Sequence, residues 1–178
     1  CLSLYSIALH FDMIASPLLY QHELCNKLIK IGTKAIENDH SGFADSIHQY
    51  VADAALTIGD LDLVEKSALS FRHLHPAHEQ MTNSYLGLVA LRKNQIDLAK
   101  QLLAVKPDYD TQNIALQLAM ELCKAGEREC IVEFINGFGE QFDQDLRPIW
   151  LRQLANNETP DFMSYNKIKT KKMKRTRK

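Results

Sequence analysis

Three histidines lie within six residues of the sequence, at His73, His75 and His78, and form its densest group of potential metal ligands. Neutral imidazole binds zinc well, so a zinc site is one interpretation. Pro76 would break a helix between His75 and His78, which removes the i, i+4 spacing of a helical zinc site. The pattern therefore favours solvated histidines in a loop between helices, and we predict no metal site.

Paired carboxylates are the second candidate for chemistry, at Asp60 with Asp62 and at Asp108 with Asp110. Asp60 follows a turn glycine and the other pair follows a proline, where aspartates cap helices. The sequence contains no phosphate-binding loop, dinucleotide fingerprint or hydrolase nucleophile motif. We therefore predict no catalytic residue, no cofactor and no enzymatic activity.

The charge of the chain is divided between an acidic body and a basic C-terminal segment. Residues 167–178 carry eight of the 21 Lys and Arg residues and no acid, which leaves 13 basic against 22 acidic residues, a net charge of −9, in positions 1–166. The body would repel nucleic acid and the segment would attract it. We expect residues 163–178 to be a disordered tail and any weak nucleic-acid contact to be confined to 167–178. A terminus that only aids solubility is the alternative.

The most apolar stretch, residues 1–19, is too short and too interrupted to cross a membrane. His10, Asp12 and Pro17 divide it, whereas a span needs roughly 20 apolar residues. The sequence starts at Cys1, which favours a fragment over a lipidated terminus. We expect a cytoplasmic protein without a membrane span.

The cysteines do not suggest a redox or zinc motif, because none forms a CxxC pair. Small, buried, reduced thiols are the favoured interpretation. The alternative is that Cys123 and Cys130 face each other. The four are Cys1, Cys25, Cys123 and Cys130.

Helical periodicity extends along the chain, and no segment alternates with period two, so the sequence predicts an all-α fold. Short polar turns at Gly59, Asn94 and Gly126 divide the helices into hairpins, and a small residue stands seven positions before each turn. A small residue there lets the two helices of a hairpin approach closely. The predicted helices cover residues 17–38, 41–58, 61–75, 77–93, 96–105, 111–124 and 127–136, with a last helix around 142–154.

The three turns are spaced by 35 and 32 residues, which is near the 34-residue period of tetratricopeptide repeats. The middle unit, from Tyr85 through Ala99 to Leu103, resembles that family most closely. We therefore predict a right-handed α-solenoid of antiparallel helix hairpins over residues 41–162, with a generic helical bundle as the alternative. Residues 1–40 are predicted to form N-terminal helices, either part of the stack or the remnant of a longer array.

The second half also resembles an uncharacterised bacterial tetratricopeptide-like family. Its motifs correspond to Leu86–Arg92, to Leu118–Leu122 with Gly126–Glu129, and to Trp150 followed ten residues later by Pro160-Asp161-Phe162. The resemblance covers about residues 80–162 and implies a helical-repeat fold, with no catalytic residues to carry over. Trp150 is interpreted as covering the open end of the stack, with a binding hot spot as the alternative.

A stack of helix hairpins has a concave surface lined by the first helix of each pair, and such a groove suits a peptide or a partner helix. We therefore predict a protein–protein interaction scaffold, with a nucleic-acid-associated adaptor acting through the basic tail as the alternative. For Leu88, Leu116 and Met120 a place in the core between helices is the other interpretation. The predicted partner-binding residues are Gln49, Asp53, Thr57, Ser84, Leu88, Arg92, Asn113, Leu116, Met120 and Lys124.

Overall fold

The computed structural model describes residues 2–15, 18–38, 44–103, 112–137 and 146–162. Within these ranges the chain consists of α-helices, one 3-10 turn and connecting turns, without strands, which confirms the predicted all-α class. Predictions for Pro17, Asp108, Asp110 and the basic tail lie outside the described residues. The helices are α1 (Leu2–Ala15), α2 (Leu18–Asn38), α3 (Ala44–Ile58), α4 (Leu61–Leu74), α5 (Glu79–Arg92), α6 (Ile96–Leu102), α7 (Gln112–Lys124), α8 (Arg128–Gly137) and α9 (Leu146–Ala155).

The helices pack mainly against their neighbours in the chain. The pairs α1–α2, α3–α4, α5–α6 and α7–α8 are each in contact, and α9 packs on α8. Consecutive pairs are joined through α2 with α3, α4 with α5, and α5 with α7. The N-terminal helices are part of this packing, since Leu9, Cys25 and Leu28 share a buried cluster with Ala54 of α3.

Four helices end in the same type of turn, each with one residue in the left-handed region: Gly59 at φ 83°, Asn94 at 60°, Gly126 at 95° and Asn157 at 62°. We refer to these four as the turn residues. Each donates its backbone N–H to the carbonyl three residues back, and the following residue donates to the carbonyl five residues back, as Asp60 does to Ala55. This is the Schellman motif, which favours Gly or Asn at the left-handed position. The three predicted turns are confirmed.

The fourth turn, at Asn157, continues the series, since the turn residues are 35, 32 and 31 positions apart. Five positions after each turn residue stands a fully buried side chain. After the first three turns this residue lies in the second helix of a hairpin and packs that helix against the core. After the fourth turn the residue is Phe162. These four residues are Val64, Ala99, Ile131 and Phe162.

Gly87 lies at a close contact between two successive hairpins. A Cβ atom on Gly87 would lie 2.5 Å from Leu118 Cδ2 in α7, whereas Leu102 of its own hairpin would be 3.4 Å away. The sequence prediction placed this close contact within one hairpin. The structure shows the tighter contact with the next hairpin, because the Leu118 side chain fits over the glycine.

Trp150 stands seven positions before Asn157, where the other three units have the small residues Ala52, Gly87 and Ala119. Its side chain is buried and lies near Phe162, which also contacts Phe134 of α8. The indole therefore fills space at the α9 end of the core, and its burial leaves little surface for a partner.

Candidate interaction surface

The register of the turns places nine of the ten predicted partner-binding residues in three rows, at two, six and ten positions before each of the first three turn residues. The row two positions before the turn is exposed in every predicted unit and contains Thr57, Arg92 and Lys124. These residues stand at the C-terminal ends of α3, α5 and α7. This row is the most accessible part of the predicted surface.

The other two rows are accessible only in part. Gln49, Asp53 and Met120 are half-buried. Asn113, the predicted residue that belongs to none of the three rows, lies in α7, and its side chain is not among those that the structure describes. Three predicted residues belong to the core instead, because they are almost fully buried: Ser84, Leu88 and Leu116.

The burial of Ser84 and Leu88 follows from the position of α5, which packs against α4, α6 and α7. Ser84 turns its hydroxyl back to its own helix and donates to the carbonyl of Gln80 over 2.9 Å. Residues 85–91 of α5 carry no charged or polar group apart from the Tyr85 hydroxyl, and a helix without a polar face is a buried helix. That signal was present in the sequence, since no charged residue occurs between Glu79 and Arg92.

Asp53 of α3 is the centre of a polar network that joins three helices. Its Oδ1 atom accepts a hydrogen bond from the Tyr85 hydroxyl of α5 over 2.6 Å. Its Oδ2 atom lies 3.0 Å from His10 Nε2 of α1. The His10 ring in turn stacks on Tyr50 at a centroid distance of 4.1 Å. The carboxylate thus links the first helices of three successive hairpins.

The electrostatics of this network follow from burial and from the Asp53 charge. Burial raises the pKa of Tyr85 well above its ordinary value near 10, and the neighbouring Asp53 carboxylate raises it further. The phenol therefore remains protonated and donates to the carboxylate at neutral pH. Thr57, one turn along, donates its hydroxyl to the backbone carbonyl oxygen of Asp53 over 2.8 Å, which turns the Thr57 side chain back toward its own helix.

Ion pairs join neighbouring hairpins along the edge that carries the turns. Lys93 Nζ lies 3.2 Å from Glu65 Oε2, and Lys100 Nζ lies 2.8 Å from Glu127 Oε2. Both pairs are substantially exposed, and exposed pairs contribute about 0–1 kcal/mol each. They align adjacent hairpins more than they stabilise the fold.

Arg128 makes the equivalent link to α9 through backbone carbonyls. Its guanidinium donates to the carbonyl oxygens of Asn157 at 2.9 Å, Glu158 at 3.2 Å and Leu154 at 3.5 Å. These carbonyls belong to the end of α9 and its turn. A cationic fork at this position complements the negative end of the helix dipole.

The histidine cluster lies at the junction of α4 and α5. His75 and His78 pack near Phe71, with ring centroids 5.3 Å and 6.1 Å from the phenyl ring. No group of three metal-ligating side chains is found among the described residues. Nor does any helix in the described ranges combine the length and the apolarity needed to cross a bilayer.

Comparison with known protein families, curated proteins and solved structures finds no match. Sequence reasoning identified Asp53 but missed its two hydrogen-bonding neighbours, Tyr85 and His10. No local sequence pattern predicts these contacts, because the three residues are distant in sequence and meet only when α1, α3 and α5 pack together.

Proposed function

We propose that the chain is a tetratricopeptide-like, right-handed α-solenoid that acts as a non-catalytic scaffold for protein–protein interaction. The recurrence of one unit carries the proposal: a Schellman turn, at spacings of 35, 32 and 31 residues, followed five positions later by a fully buried side chain. Repetition of one hairpin geometry builds an extended stack, and such stacks bind peptides or helices along the face of their first helices.

The accessible residues of α3, α5 and α7 form the proposed partner surface, which contacts a peptide or a helix of the partner. Two of them carry full positive charges at the exposed edge, Arg92 and Lys124. The surface is smaller than the sequence predicted, because three of the ten residues are buried and the side chain of Asn113 is not described. Its members are Gln49, Asp53, Thr57, Arg92, Met120 and Lys124.

The proposal is tested by photo-crosslinking from single positions. A benzophenone amino acid is placed at Thr57 or Met120, on the proposed surface, and at Lys66, which is exposed on α4. We expect the same protein to be crosslinked from Thr57 and Met120 in cells, and not from Lys66. Equal crosslinking from Lys66 would contradict the assignment of the surface.

Charge reversal provides the matched functional test. Arg92→Glu and Lys124→Glu change exposed side chains, so both variants should keep the fold and lose the partner crosslinked from Thr57. Lys66→Glu makes the same change of charge on α4 and should retain the partner. Retention of the partner by both surface variants would refute the proposed surface.

A nucleic-acid adaptor acting through residues 167–178 is the second candidate, and the separation of charge along the sequence favours it. It predicts binding of a single-stranded oligonucleotide that weakens steeply with salt and is lost when residues 167–178 are removed. Binding by the shortened chain would contradict it. This segment lies outside the described residues.

A further inference from the structure

The Asp53 carboxylate is held in place from two sides yet remains open to solvent. Tyr85 and His10 occupy one oxygen each, at 2.6 Å and 3.0 Å. The Asp53 side chain nevertheless keeps 27% of its surface exposed. An ionised carboxylate offers about four acceptor positions, so capacity for further hydrogen bonds remains after both contacts.

The charge on Asp53 is also not matched by a strong cation. Among the described residues its only ion-pair partner is His10, and no Lys or Arg lies within 4.0 Å. This differs from Glu65, Glu121 and Glu127, each of which is paired with a lysine. A half-buried carboxylate without a full positive charge beside it attracts a cation more strongly than an exposed one, because water screens it less.

The surroundings of Asp53 suit a side chain that carries both charge and hydrogen-bond donors. Gln49 and Thr57 lie one turn before and one turn after it on the same face of α3, and both are at least partly exposed. The net charge of −9 over positions 1–166 adds a general attraction for cationic segments.

We propose that Asp53 is the anchor of the partner surface and binds a guanidinium or ammonium group, best an arginine side chain, of the partner segment. Tyr85 and His10 are positioning residues, because they hold the carboxylate in one orientation without contacting the partner. The inference rests on the proposed scaffold function and adds the chemistry of the ligand to it. An arginine fork can donate two parallel hydrogen bonds to a carboxylate, which gives orientation as well as attraction.

The test is an NMR titration of the full chain with N-acetyl-arginine amide, using N-acetyl-citrulline amide as the uncharged probe of the same shape. We expect saturable shifts of the backbone amide signals of Gln49, Asp53 and Thr57 with arginine, at least about tenfold weaker binding with citrulline, and loss of the response at high salt. Equal responses to the two probes, or no saturable response, would overturn the proposal. These wild-type measurements do not depend on a variant folding.

Asp53→Asn provides the variant test, because the amide keeps the shape and removes the charge. Asp97→Asn is the control, since Asp97 is an exposed carboxylate on α6 whose side chain is 95% accessible. We expect Asp53→Asn to abolish the arginine response and Asp97→Asn to leave it unchanged. A full response in Asp53→Asn would overturn the proposal. Partner crosslinking that depends on Arg92 and Lys124, without an arginine response at Asp53, would refute only this inference and leave the scaffold function standing.

Discussion

The ring of Trp150 lies 4.9 Å from the ring of Phe162, centroid to centroid, with the two planes inclined by 70°. This edge-to-face geometry is one that aromatic pairs favour. It joins α9 to Phe162, which stands five positions after Asn157. The equivalent residues after the three earlier turns are Val64, Ala99 and Ile131. Short-range aromatic packing thus holds the last described residue in the core.

Truncation of Phe162 tests this contact. Phe162→Ala removes a fully buried ring and is expected to lower the free energy of unfolding by about 3–5 kcal/mol. Ile149→Ala on the exposed side of α9 is the control and should change it by less than about 1 kcal/mol. Urea denaturation followed by tryptophan fluorescence measures both. Equal small effects would show that Phe162 is not part of the cooperative core.

Two substitutions test the turn residues by changing the conformational freedom of the backbone at the left-handed position. Gly126→Ala should destabilise the protein by about 1–2 kcal/mol, because its φ of 95° is unfavourable for a residue with a Cβ atom. A Cβ there would meet nothing within 4 Å, so no steric clash contributes. Asn94→Gly is the opposite change at an equivalent turn and should leave stability unchanged or raise it. Chemical denaturation of both variants gives the comparison, and a neutral Gly126→Ala would contradict the assigned turn.

Gly87 tests the contact between successive hairpins. Alanine has the higher helix propensity, but a Cβ at Gly87 would lie 2.5 Å from Leu118 Cδ2, and Leu118 is fully buried and cannot move aside easily. We expect Gly87→Ala to destabilise by roughly 1–3 kcal/mol. In a Leu118→Ala background the same change should cost less or become favourable, because the clashing atom is gone. A double-mutant cycle measures the coupling, and simple additivity would contradict the contact.

The pKa of Tyr85 gives a prediction for alkaline pH. Its pKa is raised in the folded state, first by burial and then by Asp53, so the native state binds more protons than the unfolded state above the ordinary value near 10. Stability is therefore complete below that pH and falls as the pH rises toward the raised pKa. Tyr85→Phe should be less stable at neutral pH but should lose stability less steeply above about pH 10. Denaturation midpoints across this range test the difference, and parallel curves would contradict it.

Arg128 tests the attachment of α9. Arg128→Lys keeps the charge but cannot donate to three carbonyl oxygens in a fixed fork. We expect a loss of roughly 1 kcal/mol and faster amide hydrogen exchange at residues 156–158, whose N–H groups bond within the same turn. Unchanged exchange there would mean that the turn holds without the arginine.

The helices and three of the four turns could be predicted because they depend on local chemistry. Glycine or asparagine after an apolar period marks a helix end, wherever the helix packs. The start of α5 shows the limit of such patterns: Pro76–His78 form a 3-10 turn, so the helix begins at Glu79 instead of Ala77. The turn at Asn157 carried the same local signal and was missed.

The candidate surface was harder to predict because the solvent exposure of a side chain depends on how the helices pack against one another. Leu88 and Asp53 hold equivalent places before their turns, yet one is buried and the other is partly exposed. The difference arises from their surroundings in the folded chain, because Leu88 belongs to the large apolar core cluster whereas Asp53 meets the polar groups of Tyr85 and His10. The links from Tyr85 and His10 to Asp53 span 32 and 43 residues and exist only in the folded chain.

The pairing of helices mainly with their chain neighbours has a consequence for how the protein is made. Segments that contact each other emerge from the ribosome close together in time, so little loop-closure entropy opposes their meeting. Chains with such low contact order fold quickly. Each pair of helices can therefore pack against the preceding pair soon after its second helix is synthesised.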